Sequence, residues 1–146
     1  MTKILIISAL AEEMAPIAHS LGLSQKMKVG EIVEHEDYVF AISSVGKVSA
    51  AMMLTKVLEQ YQISSIINIG LAGSLSPHLT FGDVVMVEHT VEHDGLIEGD
   101  AETQKRLYPL FALTTVEHPE LKRGVLVTGD QFVNSESVRE TLQAKG

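Results

Sequence analysis

Two rhythms of apolar and polar positions run along this chain, and each predicts a kind of element. Lys3-Ile4-Leu5-Ile6-Ile7-Ser8-Ala9 is a continuous apolar run, the pattern of a strand covered on both faces in mid-sheet. From Leu10 to Gly22 the residues Met14, Ile17, Ala18 and Leu21 recur at helical spacing, and Gly22 is a stop. Pro16 is then expected in the first turn of that helix, because an interior proline removes a hydrogen bond and clashes with the turn before it. Residues 28–33 and 38–43 read as two strands of a hairpin around the polar stretch Glu34-His35-Glu36-Asp37. Ser44-Val45-Gly46-Lys47 leads into an amphipathic helix over 48–61. Its sheet-facing side is expected to carry Ala51, Leu54, Leu58 and Tyr61, with the methionines as core filler.

Ile66-Ile67-Asn68-Ile69 then stops at Gly70 and Gly73, which predicts a buried strand ending in a loop whose bare backbone lets a ligand come close. The plainer alternative is a simple turn. A dinucleotide fingerprint is excluded, since G-x-G-x-x-G and a helix directly afterwards are both missing. Ser76-Pro77-His78 reads as a turn, 83–89 as a strand, 95–118 mostly as loop with room for a short helix, and 123–130 as another strand. Residues 135–144 form a short polar helix capped by Ser135. Strands interleaved with helices in this order predict an α/β protein, here a single domain spanning 1–146.

Composition narrows the class. At 146 residues and 45% hydrophobic content the chain has one domain's worth of core. It has no cysteine, which fits a reducing compartment. No apolar run approaches membrane-spanning length, and Met1-Thr2-Lys3 with the few apolar residues after it is not expected to act as a signal peptide, so a cytoplasmic protein is expected. A net charge of −8, from 19 acids against 11 bases, argues against nucleic-acid or anionic-membrane partners.

One motif points to metal chemistry and fails on geometry. His89-Thr90-Val91-Glu92-His93 spells H-x-x-E-H, whose two histidines share one zinc ion only on a helix. Here it continues a β-branched run. At about 3.3 Å of rise per residue, the two side chains lie too far apart to chelate one ion. No metal and no cofactor is expected.

Six pieces in order carry a resemblance. Ser8-Ala9-Leu10-Ala11-Glu12-Glu13, Ser43-Ser44-Val45-Gly46-Lys47-Val48, Asn68-Ile69-Gly70-Leu71-Ala72-Gly73, Gly82-Asp83-Val84-Val85, His93-Asp94 and Gly129-Asp130-Gln131-Phe132-Val133 together resemble the nucleoside phosphorylase and nucleosidase superfamily. The branch most similar is that of the methylthioadenosine/S-adenosylhomocysteine nucleosidases. The resemblance implies a mixed central sheet with flanking helices, nucleoside phosphorylase-like and C-terminally truncated. It also implies a homodimer acting on a small-molecule nucleoside in methionine salvage.

The reaction so implied is cleavage of the bond between a purine and C1 of a ribose, releasing adenine. Glu13 matches the position of the water-activating carboxylate, while Glu12 is read as a helix-start acid favoured by the macrodipole. Val45, Ala72 and Gly73 match positions lining ribose and base, with plain packing as the alternative. Phe132 and Val133 match the purine-binding segment, with a core aromatic as the alternative for Phe132. Leu71 departs from the family, standing where a small hydroxyl residue is usual.

Arginine bears on the nucleophile. The superfamily's phosphorylases hold phosphate with arginines in the N-terminal half, and here the only three are Arg106, Arg123 and Arg139. Water is therefore preferred, with a purine nucleoside phosphorylase as one alternative. The family's ribose-binding Met-Glu-Met-Glu-like segment and its purine-protonating Ser-Asp pair do not occur after Val133. A non-catalytic nucleoside-binding remnant is thus the other alternative, and adenine release is expected at least about a hundredfold slower than in a longer relative.

Overall fold

The computed structural model describes residues 1–94, 100, 102, 103, 106 and 109–145. They divide between two compact units, Met1–Ala72 and Gly73–Gly146.

In the first unit, β1 (Lys3–Ser8) lies in mid-sheet as its apolar run predicts, parallel to β3 (Tyr38–Ile42) on one side and to β4 (Ile63–Asn68) on the other. β2 (Ile32–His35) adds antiparallel to β3, giving a four-stranded mixed sheet of order β2-β3-β1-β4. Successive side chains of a strand face opposite sides, so β1 and β3 feed two cores. Ile6, Phe40 and Ile42 pack with Met14 and Ala18 of α1 (Ala11–Ser20), and with Leu23 and Met27. Leu5, Ile7, Val39 and Ala41 pack on the other face with Met53 and Val57 of α2 (Lys47–Gln60). Burying a side chain such as Phe40 or Leu5 stabilises by roughly 1.5–3 kcal/mol.

Local signals end the first helix as expected. Leu23 N–H donates to the Ala18 carbonyl at 2.9 Å and Gly22 N–H to that of His19 at 3.1 Å, a Schellman stop with Gly22 at φ +89°.

Five expectations need correction in this unit. Pro16 stands inside α1 rather than in its first turn, leaving the carbonyl of exposed Glu12 without its intrahelical donor. β2 starts at Ile32 rather than residue 28, because Lys28–Glu31 close a turn in which Lys28 N–H donates to the Glu31 carboxylate at 2.7 Å and Gly30 takes φ +88°. The hairpin turn is only Glu36-Asp37, with Glu36 at φ +49°, while Glu34 and His35 pair with Val39 and Tyr38. The buried face of α2 carries Met53 and Val57, flanked by Leu54 and Tyr61; Ala51 and Leu58 are exposed. The fifth concerns β4. It is an edge strand of this sheet, with Ile66 and Ile67 about half exposed, not a strand buried on both faces.

In the second unit, β5 (Val85–Glu92) pairs antiparallel with the two-residue β6 (Phe111–Ala112) and parallel with β7 (Lys122–Thr128), in a three-stranded mixed sheet. The α/β class stands as expected, with its strands in two mixed sheets. β5 begins and ends later than predicted, and β7 stops before Gly129. α3 (Glu136–Lys145) is capped as expected, the Ser135 hydroxyl accepting from Val138 N–H at 3.3 Å. Of the segment predicted mostly as loop with room for a short helix, residues 95–99, 101, 104, 105, 107 and 108 lie outside the described residues; Glu102, Thr103 and Arg106 are helical. No helix among the described residues is long and apolar enough to cross a membrane.

Candidate active site

Three parallel strand ends meet at one edge of the first sheet, and the connections leaving them are tied together by their backbones. Ser43 and Ser44 N–H donate to the Ser8 and Ala9 carbonyls at 2.9 and 3.0 Å, and Ile69 N–H donates to the Ile7 carbonyl at 3.0 Å. The carboxyl ends of parallel strands are where α/β sheets form their ligand crevices. β1 turns directly into α1 here. The fully buried Ser8 hydroxyl donates to the Leu10 carbonyl at 2.9 Å, fixing the residue that precedes the helix.

Glu13 joins this turn to the loop after β4. Its Oε2 accepts the Leu10 N–H at 3.0 Å, capping the helix, and its Oε1 accepts the Leu71 N–H at 2.9 Å. Leu10 has no side-chain acceptor, so only the Glu13 half of a capping box is possible. Gly70 permits the approach: a Cβ there would lie 3.2 Å from Glu13 Oε1. What lies against this bare backbone is a side chain of the chain itself. Gly73 has no atom within 4 Å of where a Cβ would be, so no such constraint acts on it. A carboxylate has about four acceptor positions, and two backbone bonds leave capacity for a water. Glu12, exposed on the same turn, makes no such link.

The other residues singled out from the sequence lie as follows. Val45 sits in the loop after β3, 66% exposed, between Ser44 at φ +82° and Gly46 at φ +99°. Ala72 is exposed just beyond Leu71, whose side chain is 89% exposed while its N–H faces Glu13. The strand ends thus gather Glu13 with the 70–72 and 43–46 loops. Gly73, Phe132 and Val133 belong to the second unit, where Phe132 is 83% exposed beyond the end of β7.

Sequence reasoning missed two features. Ser8 is a buried hydroxyl whose partner is a backbone carbonyl. Asp94 accepts the N–H groups of Asp130, through a short hydrogen bond, and of Gln131 at 3.0 Å. Its partners are backbone N–H groups, which no residue pattern advertises. As for the zinc motif, His89 to Glu92 lie in β5, so the helix that would converge its histidines is not there.

A mixed sheet with flanking helices and a glutamate held at its strand ends is an α/β fold with a candidate ligand crevice. The sequence model of the Phosphorylase superfamily matches residues 3–145, and the chain belongs to that superfamily. It is 30% identical to the aminodeoxyfutalosine nucleosidase of Helicobacter pylori strain J99, over 97% of this chain and 71% of that protein. It is 33% identical to the 5'-methylthioadenosine/S-adenosylhomocysteine nucleosidase of a Marinomonas species, over 76% of this chain and 54% of that protein. Among solved structures it superposes with TM-score 0.71 on a mutant Helicobacter pylori MTAN holding 5'-methylthioadenosine in its active site, at 26% identity, covering 99% of this chain and 71% of that one. The Neisseria meningitidis nucleosidase, with methylthio-immucillin-A bound, superposes with TM-score 0.78 at 24% identity, a likeness of fold.

Proposed function

We propose that this chain carries a nucleosidase site that hydrolyses the N-ribosyl bond of adenosine-type thionucleosides, methylthioadenosine or S-adenosylhomocysteine, with release of adenine. The observation that carries the reading is Glu13, held by Leu10 and Leu71 N–H groups at the carboxyl ends of β1 and β4. Glu13 orients a water and takes its proton as the water oxygen bonds to C1 of the ribose. The C1–N bond breaks, its electron pair leaves on the adenine, and a proton taken up from solvent completes the product. Val45, Ala72 and Gly73 line ribose and base in this reading, and Phe132 and Val133 hold the purine by stacking and backbone contact.

Water rather than phosphate is the nucleophile, because Met1–Ala72, the unit that holds Glu13, contains no arginine to clamp an oxyanion. The match of one family model over residues 3–145 supports reading both units as parts of one catalytic domain. We place the protein in the cytoplasm, as a homodimer serving methionine salvage; exposed Val48, Met52 and Leu58 on α2 are apolar surface that an association would cover. Sedimentation showing only monomer at micromolar concentration contradicts the dimer.

The test is product analysis by chromatography with and without inorganic phosphate. Hydrolysis yields adenine and a free ribosyl product in both conditions; a phosphate-dependent rate and a sugar phosphate would overturn it. The Helicobacter relative favours one second reading, aminodeoxyfutalosine as substrate, and the same assay run on both nucleosides decides between them.

A further inference from the structure

We propose that Asp94 is a positioning residue that sets the turn after β7 and thereby presents Phe132 to a purine base, an inference that rests on the nucleosidase reading above. The ladder between β5 and β7 ends at Glu92 and Thr128, extended by His93 N–H donating to the Thr128 carbonyl at 3.0 Å. Beyond that point no strand among the described residues pairs with the segment after β7, and its N–H groups need another acceptor. Asp94 supplies one: the consecutive N–H groups of Asp130 and Gln131 both point at its Oδ2. Successive N–H groups converging on one oxygen form an anion-holding nest, and the carboxylate fills it.

Gly129 makes the approach possible. A Cβ at that position would lie 2.5 Å from His93 Nε2 and 2.7 Å from Asp94 Cγ, inside any van der Waals contact. The imidazole and the carboxylate therefore lie against bare backbone, and the turn is held from both sides. Phe132 follows directly. At 83% exposure its ring has little packing to aim it, so the backbone before it sets its direction. A stacking platform is useful only in a fixed position, which gives the nest a function beyond local order.

The experiment is a double-mutant cycle on adenine binding by calorimetry, together with amide hydrogen exchange, on the whole 146-residue chain. Phe132→Ala is expected to weaken adenine by roughly 5- to 150-fold, as loss of one stacking ring does. Asp94→Ala should weaken it by a comparable factor, and the double variant no further, since both remove the same contact. Asp94→Asn keeps an oxygen for the two N–H groups and should restore most of the affinity, a rescue that a proton-donating role would not show. Exchange on the unmodified chain gives a readout independent of variant folding: the Asp130 and Gln131 amides should be protected. Unprotected amides, an Asp94→Ala variant that binds normally, or losses that multiply in the double variant would overturn the positioning role. A Phe132→Ala variant with unchanged affinity would overturn the base-site reading itself, and the proposal with it.

Discussion

Of the fourteen buried apolar side chains among the described residues, thirteen lie in Met1–Ala72, while Gly73–Gly146 contributes only Leu142. The first unit is ordered by packing on both faces of a sheet. In the second, side chains of β5 and β7 are half-buried or exposed, and what ties the segments is polar: Lys122 on Asp83 at 2.6 Å, Arg123 on Glu88 at 2.7 Å, and Asp94 on the 130–131 backbone. Packing is worth several kcal/mol per large side chain, whereas exposed ion pairs contribute about 0–1 kcal/mol. The candidate base Glu13 thus stands on the well-packed unit, and the candidate purine platform on the one tied by polar contacts.

The sharpest way to break this contrast is a matched pair of truncations. Phe40→Ala, in the first core, is expected to cost about 3–5 kcal/mol in urea unfolding. Val125→Ala, on half-exposed β7, should stay within about 0.5 kcal/mol. Equal losses would show that the second unit has packing this comparison denies. Next in size comes the face of α2: Met53→Ala should cost about 2–5 kcal/mol, and Leu58→Ala, on the face predicted from spacing but half exposed, clearly less. A reversed order would restore the face predicted from spacing.

The smallest effect concerns pH. The hydrogen bond from Lys122, and next that from the Thr80 backbone, hold the Asp83 carboxyl below the ordinary carboxylate value of 3.8. A group depressed in the folded state contributes its stability in full above the unfolded value and loses it as pH falls through the lower folded value. Asp83→Asn should therefore flatten the loss of stability below pH 3.8, and added salt should shrink the difference, as it does for surface pairs. A steeper acid limb in the variant would contradict the assignment.

What was legible in the sequence was local. The central place of β1, the Gly22 stop and the Ser135 cap each follow from a few neighbouring residues. The exposure of β4 did not, because an apolar run specifies a strand and says nothing of how many neighbours it has. For α2, the stripes 51/54/58/61 and 53/54/57/61 both satisfy helical spacing, and only the shape of the sheet chooses Met53 and Val57. In the site, Glu13 was singled out by the family resemblance, since a carboxylate just past a strand end taken alone reads equally as a helix-start acid. Its link to Leu71 N–H, and that of Asp94 to Asp130 and Gln131, were not legible, since every residue but proline offers the same backbone donor.

Adenine release from methylthioadenosine, measured on the chain and on its Glu13→Gln and Glu12→Gln variants, tests the central claim most directly. Both substitutions remove one charge from the same turn, but only Glu13 reaches the loop after β4. The account predicts that Glu13→Gln lowers the rate by about 10²–10⁴-fold and that Glu12→Gln leaves it within a few fold. Equal rates in the two variants, or release that survives Glu13→Gln, would contradict it.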